Sequence, residues 1–170
     1  MRFEVLGPLR LLRDGEEIPL TSGRQRALLA NLLLADGDSL SADQLIEAVW
    51  GDELPSNPAN TLQHGIAQLR KILEPDRKRG EAPRLLLSDG AGYRLDLGEQ
   101  ELDATTFEES LADAAAAMER GAVASAAELL QEALNLWRGR AYADFVYSGF
   151  TQGEACLLYT SDAADDLVSV

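Results

Sequence analysis

The 170-residue sequence predicts an α+β winged helix-turn-helix domain with an N-terminal antiparallel sheet, followed by an all-α helical hairpin. Three observations carry this. The chain opens on short alternating apolar runs broken by Gly7-Pro8 and Asp14-Gly15. Three amphipathic segments, two of them opened by N-cap signals, then lie between Thr21 and Pro75, with a glycine-tipped hairpin behind them. From Leu102 the pattern changes to alanine-rich helical periodicity. With 46% hydrophobic and 26% charged residues the composition is globular, and the length suits one domain with a sizeable core or two small ones.

Phe3 to Arg10 (FEVLGPLR) alternates apolar and polar positions and is interrupted at Gly7-Pro8, which predicts a strand with a bulge or edge position. Leu11 to Arg13 and Glu17 to Leu20 flank Asp14-Gly15, a strong two-residue turn signal, and predict a hairpin. Thr21 and Ser22 are expected to cap a helix whose apolar face is Ala27, Leu28, Leu29, Leu32, Leu33 and Leu34, and Gly37 ends it. Ser41 with Gln44 three residues on predicts a capping box. It opens a helix from Ala42 to Trp50, with Leu45, Ile46, Val49 and Trp50 on one side and Gly51 as its stop. Beyond a loop with two prolines, a third helix runs from about Pro58 to Leu73, its apolar positions Leu62, Ile66, Leu69, Ile72 and Leu73 spaced by three or four. Arg84 to Leu87 and Tyr93 to Leu97, joined by Ser88-Asp89-Gly90-Ala91-Gly92, predict a second hairpin. A helix pair with a short loop and a β-hairpin after it is the layout of a winged helix, in which the last helix lies in the DNA major groove.

The second part reads as two helices, Leu102 to Gly121 with Asp103 or Thr105 as cap, and Ala122 to Trp137. Their expected inward residues are Phe107, Leu111, Ala114, Ala115 and Met118 on the first, and Ala126, Leu129, Leu130, Ala133, Leu134 and Trp137 on the second. Such an α-hairpin reads as one TPR-like unit, which cannot bury both of its faces alone.

A helix that reads DNA needs one apolar face for docking and, on the other, groups that match base edges and phosphates. Gln63, His64 and Gln68 suit base contacts, since glutamine can bond adenine twice. Arg70 and Lys71 suit phosphate or guanine, with Thr61 on the same face. Gly65 removes a side chain from this face and permits close backbone approach. Arg94 and the Arg77-Lys78-Arg79 cluster are expected on phosphates.

The segments RFEVLGPLRLLRDGEEIPL, SGRQRALLANLLL, SADQLIEAVWGDELP, NTLQHGIAQLRKILEP and GAGYRL together resemble the Streptomyces antibiotic regulatory protein family, of AfsR/DnrI/RedD type, from Met1 to about Ala155. The resemblance implies an OmpR/PhoB-type winged helix over residues 1–98 and the start of a bacterial transcriptional activator domain, built of TPR-like helix pairs, over 99–155. It implies a regulator that binds direct repeats near promoters, as a possible homodimer on tandem sites, and contacts RNA polymerase. On the family pattern Asn60 to Leu73 is the recognition helix, and Gly92, Tyr93 and Arg94 match the wing. Gly65 departs from it, where relatives often carry a larger polar or aromatic residue. This DNA-binding type is common in phosphorelay proteins, but no receiver domain is expected ahead of it here. No cofactor is expected.

Charge and motif searches bound the alternatives. Formal net charge is −14, but residues 1–97 carry 12 basic against 15 acidic side chains and residues 98–170 carry 3 against 14. The acidic excess therefore sits mainly in the second part, away from the expected DNA surface. A protein-interaction or signalling module without DNA binding is the competing reading, because a fold does not decide a function. An enzyme is not expected: the chain has no GxxxxGK, HExxH or GxSxG motif. One histidine and one cysteine leave no set for a His- or Cys-rich metal site. The longest apolar runs fall far short of the ~18 residues of a membrane span, and no secretory signal opens the chain, so a cytoplasmic protein is expected. Finally, Cys156 to Asp166 (CLLYTSDAADD) breaks the helical pattern and matches, letter for letter, one frame of a transposon-end adapter used in sequencing libraries. The expectation is that residues 156–170 are not native.

Overall fold

The chain divides into two units. The computed structural model describes residues 1–90 and 92–145; the expected foreign tail, 156–170, lies outside them. One unit is Ile18–Glu99, and the other joins Met1–Glu17 to the chain from Gln100 onward.

Ile18–Glu99 is a winged helix. Helix α1 (Gly23–Leu34) buries Leu28, Leu29, Leu32 and Leu33. Ser22 stands at its N-cap in extended backbone but makes no side-chain cap bond, against expectation. Strand β4 (Leu40–Ser41) leads into α2 (Ala42–Trp50), whose Ser41/Gln44 capping box is complete. Helix α3 (Pro58–Leu73) starts on Asn57, whose side chain accepts from the Asn60 amide, with Pro58 in the first turn where its missing N–H costs nothing. Leu62, Ile66, Leu69 and Leu73 are its buried stripe. The wing is β5 (Leu86–Asp89) against β6 (Gly92–Leu95).

Strand β4 was not anticipated. It pairs antiparallel with β6, Leu40 opposite Tyr93 and Ser41 opposite Gly92, so the order is β4-β6-β5. Two residues are too few for a visible strand period. Gly92 is what permits the pairing: a Cβ there would collide with the Leu40 carbonyl, coming within 2.9 Å of its carbon and 3.0 Å of Ser41 Cα.

In the other unit, β1 (Arg2–Glu4) pairs antiparallel with β2 (Arg10–Arg13), and β2 with β3 (Glu16–Glu17). Strand β7 (Glu101–Leu102) pairs parallel with β1, giving the order β3-β2-β1-β7. The expected single strand from Phe3 to Arg10 is therefore two strands and a turn. The N–H groups of Val5 and Leu6 leave the ladder and donate to the two carboxylate oxygens of Asp103, at 2.7 and 3.0 Å. Their carbonyls accept from Tyr142 and Arg138. Every polar group of that turn needs a partner once buried, and residues far along the chain supply them. This is also why the opening sheet clusters with the helices after Gln100, although the sequence reading counted it with the winged helix.

Helices α4 (Asp103–Glu119) and α5 (Val123–Asn135) follow. Asp103 is inside the first turn of α4 and is no cap; Leu102 holds that position. The alanines Ala114, Ala117 and Ala126 form the contact between the helices, with Ala122, Leu129 and Leu130 against them. Phe107 meets Trp137 edge to face at 5.3 Å. The expected α4 stripe is corrected: Ala117 is inside, whereas Ala115 and Met118 are exposed. On α5, Leu134 also faces out, and Val123 is exposed at its start. No helix among the described residues is long and apolar enough to cross a membrane.

Candidate nucleic-acid interface

The buried stripe of α3 leaves the opposite side of the helix outward, and five of the residues chosen from the sequence share it. Asn60, Gln63, His64, Gln68 and Lys71 are all exposed. Thr61 is half-buried, and its hydroxyl donates to the Asn57 carbonyl at 2.8 Å, which commits it to the start of the helix.

The polar face is organised. Gln68 Nε2 lies 2.9 Å from His64 Nε2, one helical turn away. Gln68 Oε1 accepts from Gln25 Nε2 of α1, also at 2.9 Å. Gln25 was not picked out from the sequence, and a partner 43 positions away leaves no local signal there. Asn57 was missed too, although an asparagine directly before a proline and an apolar-periodic run is a readable cap.

Gly65 does not serve the outer face. A Cβ on it would meet Leu28 Cδ2 of α1 at 3.5 Å, an ordinary contact, so this residue faces the α1 side of the helix.

Arg70 is turned toward the wing rather than outward. Its Nε donates to the Leu86 carbonyl at 2.8 Å and its terminal nitrogen to Ser88 Oγ at 3.0 Å. The guanidinium also lies 5.9 Å from the centre of the Tyr93 ring. Burial holds its pKa below the usual arginine range; nearby Arg77 adds to that, while Tyr93 and Glu74 oppose it. Arg70 thus joins the last turn of α3 to β5 and to β6, and Tyr93 serves as the platform beneath it.

The loop after α3 is folded around Glu74, a buried carboxylate that accepts from the Arg84 amide at 3.0 and 3.1 Å. Arg77 is half-buried and donates to the Glu81 carbonyl at 2.6 Å, whereas Lys78 and Arg79 are exposed. Arg94 is half-buried on β6, with Asp96 at 3.4 Å. The structure therefore gathers Asn60, Gln63, His64, Gln68 and Lys71 on one face and sets Lys78 in the adjoining loop. It commits Thr61, Arg70 and Arg77 to internal bonds. Among the described residues no group of three or more His, Cys, Asp or Glu could hold a metal ion.

Comparison with known proteins matches both parts of the chain. Residues 15–95 match the family "Transcriptional regulatory protein, C terminal", and residues 102–164 match the "Bacterial transcriptional activator domain". The chain is 39% identical over 144 residues to the regulatory protein AfsR of Streptomyces coelicolor, covering 84% of this chain and 14% of AfsR. It is 30% identical over 156 residues to the regulatory protein DnrI of Streptomyces peucetius, covering 90% of this chain and 57% of DnrI. Among solved structures, that of Mycobacterium tuberculosis EmbR in complex with a low-affinity phosphopeptide superposes with a TM-score of 0.84 at 29% identity, over 96% of this chain and 42% of that one. Each of these relatives is much longer than the part that this chain matches. With both domain matches in one chain, and AfsR and DnrI aligned over 84% and 90% of it, this chain belongs to the Streptomyces antibiotic regulatory protein family.

Proposed function

We propose that the chain binds double-stranded DNA selectively by sequence, through the outer face of α3 and the adjoining wing, and regulates transcription in the cytoplasm. The observation that carries this reading is the division of α3: one side is wholly spent on the core, and the other presents Asn60, Gln63, His64, Gln68 and Lys71 together on an exposed surface. Amides and an imidazole match base edges, and Lys71, Lys78 and Arg94 are the cations for flanking phosphates. Activation by contact with RNA polymerase, and two copies side by side on direct repeats, extend the same reading from the family. The acidic second part is suited to protein contacts and would be repelled by DNA.

The test is fluorescence anisotropy of the full chain on duplex DNA taken from upstream of its own gene, across a salt series. Saturable binding that prefers one repeat over random duplex, falls steeply with salt and weakens in Gln68→Ala supports the reading. Binding equal to that of random duplex and unchanged in Gln68→Ala favours a module that binds protein alone.

A further inference from the structure

The hydrogen bonds of Gln68 decide more than its position. A glutamine amide carries two N–H donors on its nitrogen and two lone pairs on its oxygen. Gln25 donates to Oε1, and His64 Nε2 takes one N–H from Nε2. That bond requires the imidazole to accept at Nε2 and to carry its proton on Nδ1. One lone pair on Oε1 and one N–H on Nε2 then remain unused by these two bonds, on a residue exposed on the outer face. This is the acceptor and donor pair that an adenine edge needs, opposite its N6 amino group and N7.

A glutamine on an open surface can exchange oxygen and nitrogen by half a turn of its last torsion, and so offer the two groups in either order. Here that turn sets Gln68 Nε2 against the Gln25 donor and Oε1 against His64. Restoring every bond takes a simultaneous turn of Gln25 and a change of imidazole tautomer. Gln25 is half-buried on α1, where its freedom is reduced.

We propose that Gln25 is a specificity-determining positioning residue: from α1, without touching DNA, it sets the donor–acceptor order that Gln68 presents to a base pair. The proposal rests on the DNA-binding reading above. It predicts that the chemistry of residue 25, rather than its mere presence, is read out as base preference. Gln25→Lys keeps a donor toward Gln68 Oε1. Gln25→Glu offers only acceptors, which turns the Gln68 amide around.

The experiment is selection of a randomised duplex pool by the full chain, sequencing the bound fraction for wild type, Gln25→Ala, Gln25→Lys, Gln25→Glu, Gln68→Ala and Gln25→Ala/Gln68→Ala. Thermal melts establish that each variant is folded. A bidentate contact discriminates by roughly 5- to 150-fold at its base pair. The expected result is that Gln68→Ala loses the preference at one position and that Gln25→Ala weakens it there at least ~3-fold. The double variant should match Gln68→Ala, Gln25→Lys should retain the preference, and Gln25→Glu should lose or reverse it. Affinity for the whole pool should stay within about twofold. The proposal is overturned if Gln25→Ala keeps the preference that Gln68→Ala loses, if Gln68→Ala loses none, or if Gln25→Ala weakens every position alike. Absence of any enriched sequence for the wild type would overturn the DNA-binding reading itself, and this proposal with it.

Discussion

Replacing Arg70 by alanine separates two roles that look alike in the sequence. As a phosphate contact, Arg70 would add to affinity and contribute little to stability. The structure instead gives it two hydrogen bonds and a ring contact inside the winged helix. The bond to the Leu86 carbonyl is the strong one, because the donor is charged and Leu86 is buried; such bonds contribute about 1.5 kcal/mol or more. Ser88 is exposed, so water replaces most of its bond, and the Tyr93 contact adds about 0.5 kcal/mol at a half-exposed position. The expected loss in Arg70→Ala is thus about 2 kcal/mol. A winged helix of this size shifts by ~4–8 °C per kcal/mol, so its thermal transition should fall by roughly 10 °C in calorimetry. Arg70→Lys should lose most of the same stability, because an ammonium cannot reproduce the fork. In the anisotropy salt series, run below the transition, the slope of log affinity against log salt should be unchanged in Arg70→Ala. A slope reduced by about one in Arg70→Ala, with the transition unmoved, would refute the reasoning and return Arg70 to the phosphate backbone.

Three further substitutions probe the rest. Gly65→Ala should raise stability by about 0.5–1 kcal/mol through helix propensity, since its methyl meets Leu28 at an ordinary 3.5 Å, and should leave DNA affinity unchanged; urea unfolding and anisotropy check both. Gly92→Ala should cost about 2 kcal/mol or more and loosen β4 from β6, visible as faster hydrogen exchange at Ser41 and Tyr93, because the added Cβ has no room beside Leu40. Asp103 has its pKa raised by burial, with the Val5 and Leu6 amides and Arg138 opposing and Glu4 adding to the rise. Its folded value stands above its unfolded one, so its contribution is fully present below the ordinary aspartate range and is lost as pH rises through the folded value. Wild-type stability relative to Asp103→Asn should therefore decline from about pH 4 toward neutrality in urea melts; a difference that is flat or grows with pH would contradict this assignment.

What the sequence makes legible follows from how local the physics is. The Asp14-Gly15 turn, the Ser41/Gln44 box, the extent of α3 and its buried stripe, apart from a half-buried Ile72, depend on residues within one or two turns of each other, and these appear as read. The misreadings share a different cause. Phe3 to Arg10 has the alternation of one strand, but the polar groups of its turn are satisfied by Asp103, Arg138 and Tyr142, and nothing near position 5 announces that. Asp103 resembles an N-cap because aspartate before a helix usually is one; its carboxylate is already taken by two amides about a hundred positions earlier. Met118 fits the apolar spacing of α4 and is nevertheless 48% exposed, since alanines rather than longer side chains make the contact with α5.

The same distinction governs the interface. Residue type and helical spacing were enough to bring Asn60, Gln63, His64, Gln68 and Lys71 to one face, because a helix converts spacing into direction without help. They were not enough to tell an arginine that faces solvent from one that faces a wing. Arg70 and Lys71 are adjacent, equally charged in the sequence, and about 100° apart on the helix; only the hairpin lying beside that turn makes one a tether and leaves the other outward. Gly65 errs in the same way, by about one residue's rotation. For this fold, then, the charge that reads DNA cannot be counted along α3. On the proposed reading it is counted after the hairpin has taken its share, which moves the expected phosphate contacts from Arg70 toward Lys71, Lys78 and Arg94 and makes the Gln68 amide, bonded to Gln25 of α1, the group to test for discrimination.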